Sequence, residues 1–163
     1  MNKVLIVLAA AVLMMSCSSA PYRGSASQAI EVSSVKVDLS NTQKVKQTLD
    51  QQYKDWRHIP HSMGGISRNG IDCSGLVYLT YRTKFGIDMP RSTDQQSELG
   101  HKIKRSQLRA GDLVFFKTGL FTEHVGMYID KDKFLHVSSS RGVMKSSLND
   151  PYWRNTYWKA VRI

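Results

Sequence analysis

Cys73, His124 and His136 are the residues whose types and spacing could support nucleophilic chemistry. Cys73 lies in the stretch from Gly70 to Phe85, where Leu76, Val77, Tyr81 and Phe85 recur near the helical period and predict a helix with one buried face. Asp72 precedes the run and is placed to cap it, which puts Cys73 at or next to the first helical position. There the thiol meets the positive end of the helix dipole and unpaired backbone amides, which favour thiolate. Gly75 leaves the first turn open to close approach by another segment or a substrate. A structural cysteine more often sits mid-face among apolar residues, whereas this one is flanked by Asp72, Ser74 and Gly75.

A nucleophilic thiol needs a base, and two histidines lie in strand-like sequence. Alternation puts His124 with Gly126 and Tyr128, and His136 with Phe134 and Ser138, each opposite the aliphatic face of its strand. Neighbouring strands would set one imidazole beside the other, and a helix packed on that face would bring Cys73 to them. The order required is a thiolate to attack, an imidazole to move its proton and a third group to orient the imidazole. One cysteine and two histidines could also hold zinc, but the spacing lacks the close-paired ligands of common zinc motifs. No metal or cofactor is expected.

The elements that must position these residues can be read in outline. Val45, Leu49, Tyr53 and Trp56 predict an amphipathic helix from Thr42, capped near Ser40 or Asn41. It leads into a loop from Ile59 through His61 to Gly64 and Gly65. Pro90 interrupts regular structure, and Ser92 with Gln95 signals a short helix ending near Gly100. A turn over Leu108 to Asp112 precedes three strand-like segments, Leu113 to Phe116, Val125 to Ile129 and Phe134 to Val137. Tyr157 to Ile163 is a fourth, expected at the sheet edge, and Val35 to Leu39 is a candidate short strand. Helices first and strands after imply an α+β domain with helices packed on an antiparallel sheet. His58 and His101 read as surface residues.

The amino terminus has Lys3, an apolar run from Val4 to Met15, then Ser16 and Cys17. The run is too short for a permanent membrane span and matches an export signal. Met14 to Cys17 resembles the bacterial lipoprotein signal, with Met14 where leucine is usual; a plain secretory signal is the alternative. The expected organisation is a signal peptide over 1–16, a lipidated flexible tether over 17–41 and a single domain over 42–163. Lipid on Cys17 leaves Cys73 as an unpaired thiol in an exported protein, where idle thiols are a liability. Ser18, in place of aspartate, suggests anchoring in the outer membrane, facing the periplasm. The formal charge is +10, and +9 without residues 1–17, which hold one lysine and no acid. Basic residues are scattered and no nucleic-acid motif is present, so an anionic wall or lipid surface is the expected partner, not nucleic acid.

Asp72 to Gly75 before an apolar helix, Pro90 to Thr93, Gly111 to Phe116, His124 to Tyr128, Phe134 to His136 and Pro151 to Trp153 together resemble the NlpC family of bacterial cell-wall cysteine peptidases. The resemblance runs from about Val45 to the carboxyl end. It implies a papain-like fold and a thiol peptidase that cuts amide bonds in peptidoglycan stem peptides or cross-links. Carried over by position, Cys73 is the nucleophile, His124 the base and acid, and His136 the residue that orients it. The family usually has tyrosine where this chain has His61, whose N–H could donate to the oxyanion in its place. A cell-wall binding module with an idle triad and an acyltransferase using the same cysteine are the rival readings. The sequence names neither the bond cut nor any activating protein.

Overall fold

The structure is a computed structural model that describes residues 37–120 and 122–163. The expected signal, Cys17 and most of the tether lie outside the described residues. Val37 to Leu39 forms no strand; the segment turns instead into the first helix, with the Asn41 amide bonded to the Asp38 carbonyl.

Helix α1 (Thr42–Trp56) is capped by the Asn41 side chain, which accepts the Lys44 amide, and it buries Val45 and Leu49. A small hairpin of β1 (Ile66–Ser67) and β2 (Gly70–Ile71) leads into α2 (Cys73–Thr80), which continues as a π-helical turn over Tyr81–Phe85. A short α3 (Thr93–Ser97) is capped by Ser92 and ends earlier than Gly100, because the Glu98 and Leu99 amides turn back onto Gln95 and Gln96. A two-residue β3 (His101–Lys102) follows, then β4 (Leu113–Lys117), β5 (Glu123–Asp130), β6 (Lys133–Ser138) and β7 (Gly142–Ser147). The short helix α4 (Pro151–Thr156) passes into β8 (Tyr157–Arg162).

These strands form one antiparallel sheet in the order β3-β8-β4-β5-β6-β7. The last strand is therefore not at the edge: β8 lies between β4 and the short β3. Asp112 is buried in the turn before β4 and is gripped by Arg162 of β8 through two contacts of 2.7 Å, which fixes the carboxyl end against that turn.

The sheet buries both faces. One carries Leu113, Phe115, Val125, Met127, Ile129, Leu135 and Val137 against α1 and α2, including Leu49, Leu76 and Val77. The other carries Val114, Phe116, Phe134 and Ala160 beneath Trp153 of α4. Helices on one side and a single short helix on the other make this an α+β fold.

Candidate active site

Cys73 opens α2, and Asp72 caps it by accepting the Gly75 amide at 2.7 Å. The other Asp72 oxygen takes the Gly64 amide at 2.7 Å. Arg91 donates to both oxygens at 2.8 Å, to the Ser74 hydroxyl at 3.0 Å and to the Gly65 carbonyl at 3.1 Å. Burial pushes the Asp72 carboxyl up, but Arg91 and the Gly75 and Gly64 amides outweigh it and hold the group below the usual carboxylate range. This cluster ties the loop at 61–65 to the helix start. A β-carbon on Gly75 would stand 2.6 Å from the Gly65 carbonyl oxygen, so the segment that comes close to this glycine is that loop.

The two histidines share a face and meet. His124 Nε2 lies 3.0 Å from His136 Nδ1, and His136 Nε2 lies 2.8 Å from Ser146 Oγ on β7. Trp153 packs on both rings, with centroids 5.2 Å from His124 and 4.8 Å from His136, and Phe134 stacks on His136 at 4.9 Å. Contrary to expectation, the nucleophile's helix does not pack on their face. Helix α2 packs on the aliphatic face, and the histidine face is covered by α4.

Cys73 instead lies towards the start of β5, the strand that carries His124. Register between β5 and β6 stops at Met127 opposite Leu135, so the start of β5 runs free of β6. There the backbone amide of Val125, the residue after His124, favours the charged form of the Cys73 sulfur, which lies 3.7 Å from the Thr93 hydroxyl. Among the described residues no hydrogen bond joins the thiol to either imidazole, and His124 Nδ1 bonds no protein group. Catalytic contacts are often loose until substrate binds.

The resting charge state also differs from the local expectation. Burial pushes the half-buried thiol up, and this outweighs the lowering by the Val125 amide, the Thr93 hydroxyl and the Ser74 amide. The helix start is present, but it does not win. Burial, helped by the nearby charge of His61, pushes His124 down to about 4. Burial, then the charge of His124, pushes His136 down to about 3, with the Val137 carbonyl acting the other way. A neutral thiol beside two neutral imidazoles is the resting state these environments favour.

His61 is held by a bridge to Ile71, with the Ser62 amide on the Ile71 carbonyl and the Ile71 amide on the Pro60 carbonyl. It thus stands at the site, while His58 and His101 are exposed. Beside Thr93 a cleft of about 490 Å³ opens, lined also by Asp94, Lys117, Leu120 and Glu123. Among the described residues no three histidine, cysteine, aspartate or glutamate side chains are gathered as a metal site. Ser146 was not legible as a site residue, since β7 reads Gly-Val-Met-Lys-Ser-Ser and shows little alternation. Trp153 entered only as part of a motif.

Gly126 makes this packing possible. A β-carbon there would fall 2.5 Å from the Phe134 ring and 2.9 Å from the Leu135 carbonyl oxygen. Gly126→Ala is expected to lower stability by about 1–3 kcal/mol through overpacking and to displace the ring stacked on His136. Thermal unfolding of the variant checks this; an unchanged Tm would refute the packing account.

A cysteine at the head of a buried helix, set at the end of an antiparallel sheet that presents two bonded histidines, defines a papain-like α+β domain. The NlpC/P60 family profile matches residues 58–162, and the chain belongs to that family. It is 47% identical over 119 residues to the murein DD-endopeptidase MepS/murein LD-carboxypeptidase of Escherichia coli, a match covering 73% of this chain and 63% of that protein. With the probable endopeptidase NlpC of E. coli it shares 44% identity over 127 residues, covering 77% of this chain and 82% of that one. A crystal structure of an NlpC/P60 family protein from Bacillus cereus superposes with a TM-score of 0.65 and 32% identity, over 72% of this chain and 39% of that chain. The chain therefore spans less than two thirds of MepS.

Proposed function

We propose that the protein is a lipid-anchored cysteine endopeptidase that hydrolyses amide bonds in peptidoglycan stem peptides or cross-links. The observation that carries this reading is the bonded pair His124 and His136, with Cys73 at the head of the helix packed on the same sheet. The relatives named as murein endopeptidases support the substrate class. Cys73 Sγ attacks the scissile carbonyl carbon as its proton passes to His124 Nδ1. The Cys73 amide and His61 donate to the developing oxyanion. Collapse of the tetrahedral species breaks the C–N bond, and His124 returns the proton to the leaving amine. Water, losing a proton to His124, then attacks the thioester, and the thiol leaves with that proton restored. His136 holds the imidazole in place throughout.

The cleft beside Thr93 is the path proposed for the stem peptide, with Lys117, Asp94 and Glu123 offered to its charged groups. The positive balance of the chain favours residence on an anionic wall, an attraction that salt screens. Cys17 carries the lipid, and the anchor lies in the outer membrane facing the periplasm; the signal-like sequence before Cys17 supports this.

Digestion of purified peptidoglycan by the full chain, with fragments identified by mass spectrometry, tests the reading. New peptide termini, unaffected by a chelator, are expected. Loss of cutting with chelator would move the case to a metal site. Acyl products transferred to an added amine instead of water would make it a transferase, and a chain that sediments with the wall yet cuts nothing would be a binding module.

A further inference from the structure

The hydrogen-bond chain that begins at His124 does not end at His136, and the proposed proton transfer sets its direction. For His124 Nδ1 to accept a proton from the thiol, a neutral His124 must carry its own proton on Nε2. That N–H points at His136 Nδ1, 3.0 Å away, which must then be bare. His136 in turn must carry its proton on Nε2, and the group facing that atom at 2.8 Å is the Ser146 hydroxyl. His136 is buried, with 1% of its surface exposed, so an Nε2–H without an acceptor would be costly. A hydroxyl that accepts here stabilises one tautomer of His136 and, through it, one tautomer of His124. The reverse arrangement puts a hydrogen on His124 Nδ1, where it can only donate and cannot take the thiol proton.

The strand geometry sets this contact. His136 lies opposite Met144 and Phe134 opposite Ser146, so Ser146 shares the histidine face one diagonal step away. Phe134 and Trp153 pack on the His136 ring, and the Ser146 hydroxyl lies in hydrogen-bond reach of its Nε2.

We propose that Ser146 is a positioning residue of the site: by accepting from His136 Nε2–H it sets the tautomers of both histidines and keeps His124 Nδ1 free as the base. The proposal takes the direction of the chain from the peptidase reading above, but its spectroscopic test is read without any peptide cleavage.

Ser146→Thr and Ser146→Val have nearly the same shape and differ by the hydroxyl, so the threonine variant controls for folding. The full chain in detergent, labelled with 15N at histidine, is examined by long-range 1H–15N correlation, which reports the nitrogen bearing each ring proton. The wild type and Ser146→Thr are expected to show Nε2–H on both His124 and His136. Ser146→Val is expected to move a substantial share of His124 to Nδ1–H and to lower kcat by about 10- to 100-fold, the range for lost outer-shell partners of an imidazole. KM should stay put, since Ser146 does not face the cleft. An Nε2–H His124 that persists in a folded Ser146→Val protein would overturn the proposal. If the tautomers shift as described while the wild-type chain leaves peptidoglycan uncut, the assignment of Ser146 stands and the peptidase reading falls.

Discussion

Cys73→Ala is expected to reduce peptidoglycan cleavage by about 10⁴-fold or more while leaving the fold intact. In the proposed mechanism the sulfur supplies the attacking electron pair, and no other cysteine is present among the described residues to replace it. Its removal costs little packing, because the side chain is small and half-buried at the start of α2. Asp72, which caps the helix and binds Arg91, is untouched by the change. Fragment release per hour, measured beside thermal unfolding, checks both halves of this statement. Cleavage surviving at more than a hundredth of the wild-type rate would remove Cys73 from the reaction.

His124→Ala is expected to cost about 10²- to 10⁴-fold, the range for losing a positioned general base. The pH dependence is tied to the same ring. His124 is pushed down to about 4, so it stays neutral, and able to accept a proton, well below the ordinary histidine range. For the wild type the acid limb of kcat/KM should fall near pH 4. Activity is thus present above that value and lost as pH falls through it, the sign set by a base that works only when unprotonated. A thiolate–imidazolium pair would give a similar limb, so alkylation of the resting thiol by iodoacetamide separates the two. The raised Cys73 thiol predicts alkylation that climbs only above the usual cysteine range. A plateau of fast alkylation from mildly acidic pH upward would show that the resting pair is charged.

Acid should weaken the fold at the same place. The Asp72 carboxylate is held low by Arg91, so its contribution is present at neutral pH and lost as pH falls through its folded value. Histidines depressed in the fold act in the same direction, because the unfolded chain takes up their protons first.

What the sequence revealed of this site was mostly what local rules decide. The Asp72 cap and the position of Cys73 follow from one turn of chain, and the shared face of His124 and His136 follows from alternation along two strands. Which face the helices would cover was not legible, because both faces of the sheet are apolar. Phe116 and Phe134 are as deeply buried under α4 as Val125 and Met127 are under α2. The charge of the thiol was misread for a related reason. A helix start is visible in sequence, but desolvation depends on segments such as β5 and α3 that arrive from elsewhere in the chain. Strand β7 escaped because its lysine and two serines break the apolar pattern, and with it went Ser146.

The parting of β5 from β6 before Met127 has a consequence for the life of the chain. The sulfur comes from the helical half and the imidazoles from the sheet, so packing of the two halves sets their relative position. In the proposed reaction, a chain in which the two halves are apart offers the thiol no base. On the proposed mechanism, activity depends on how the head of α2 is seated against the sheet as much as on either half alone.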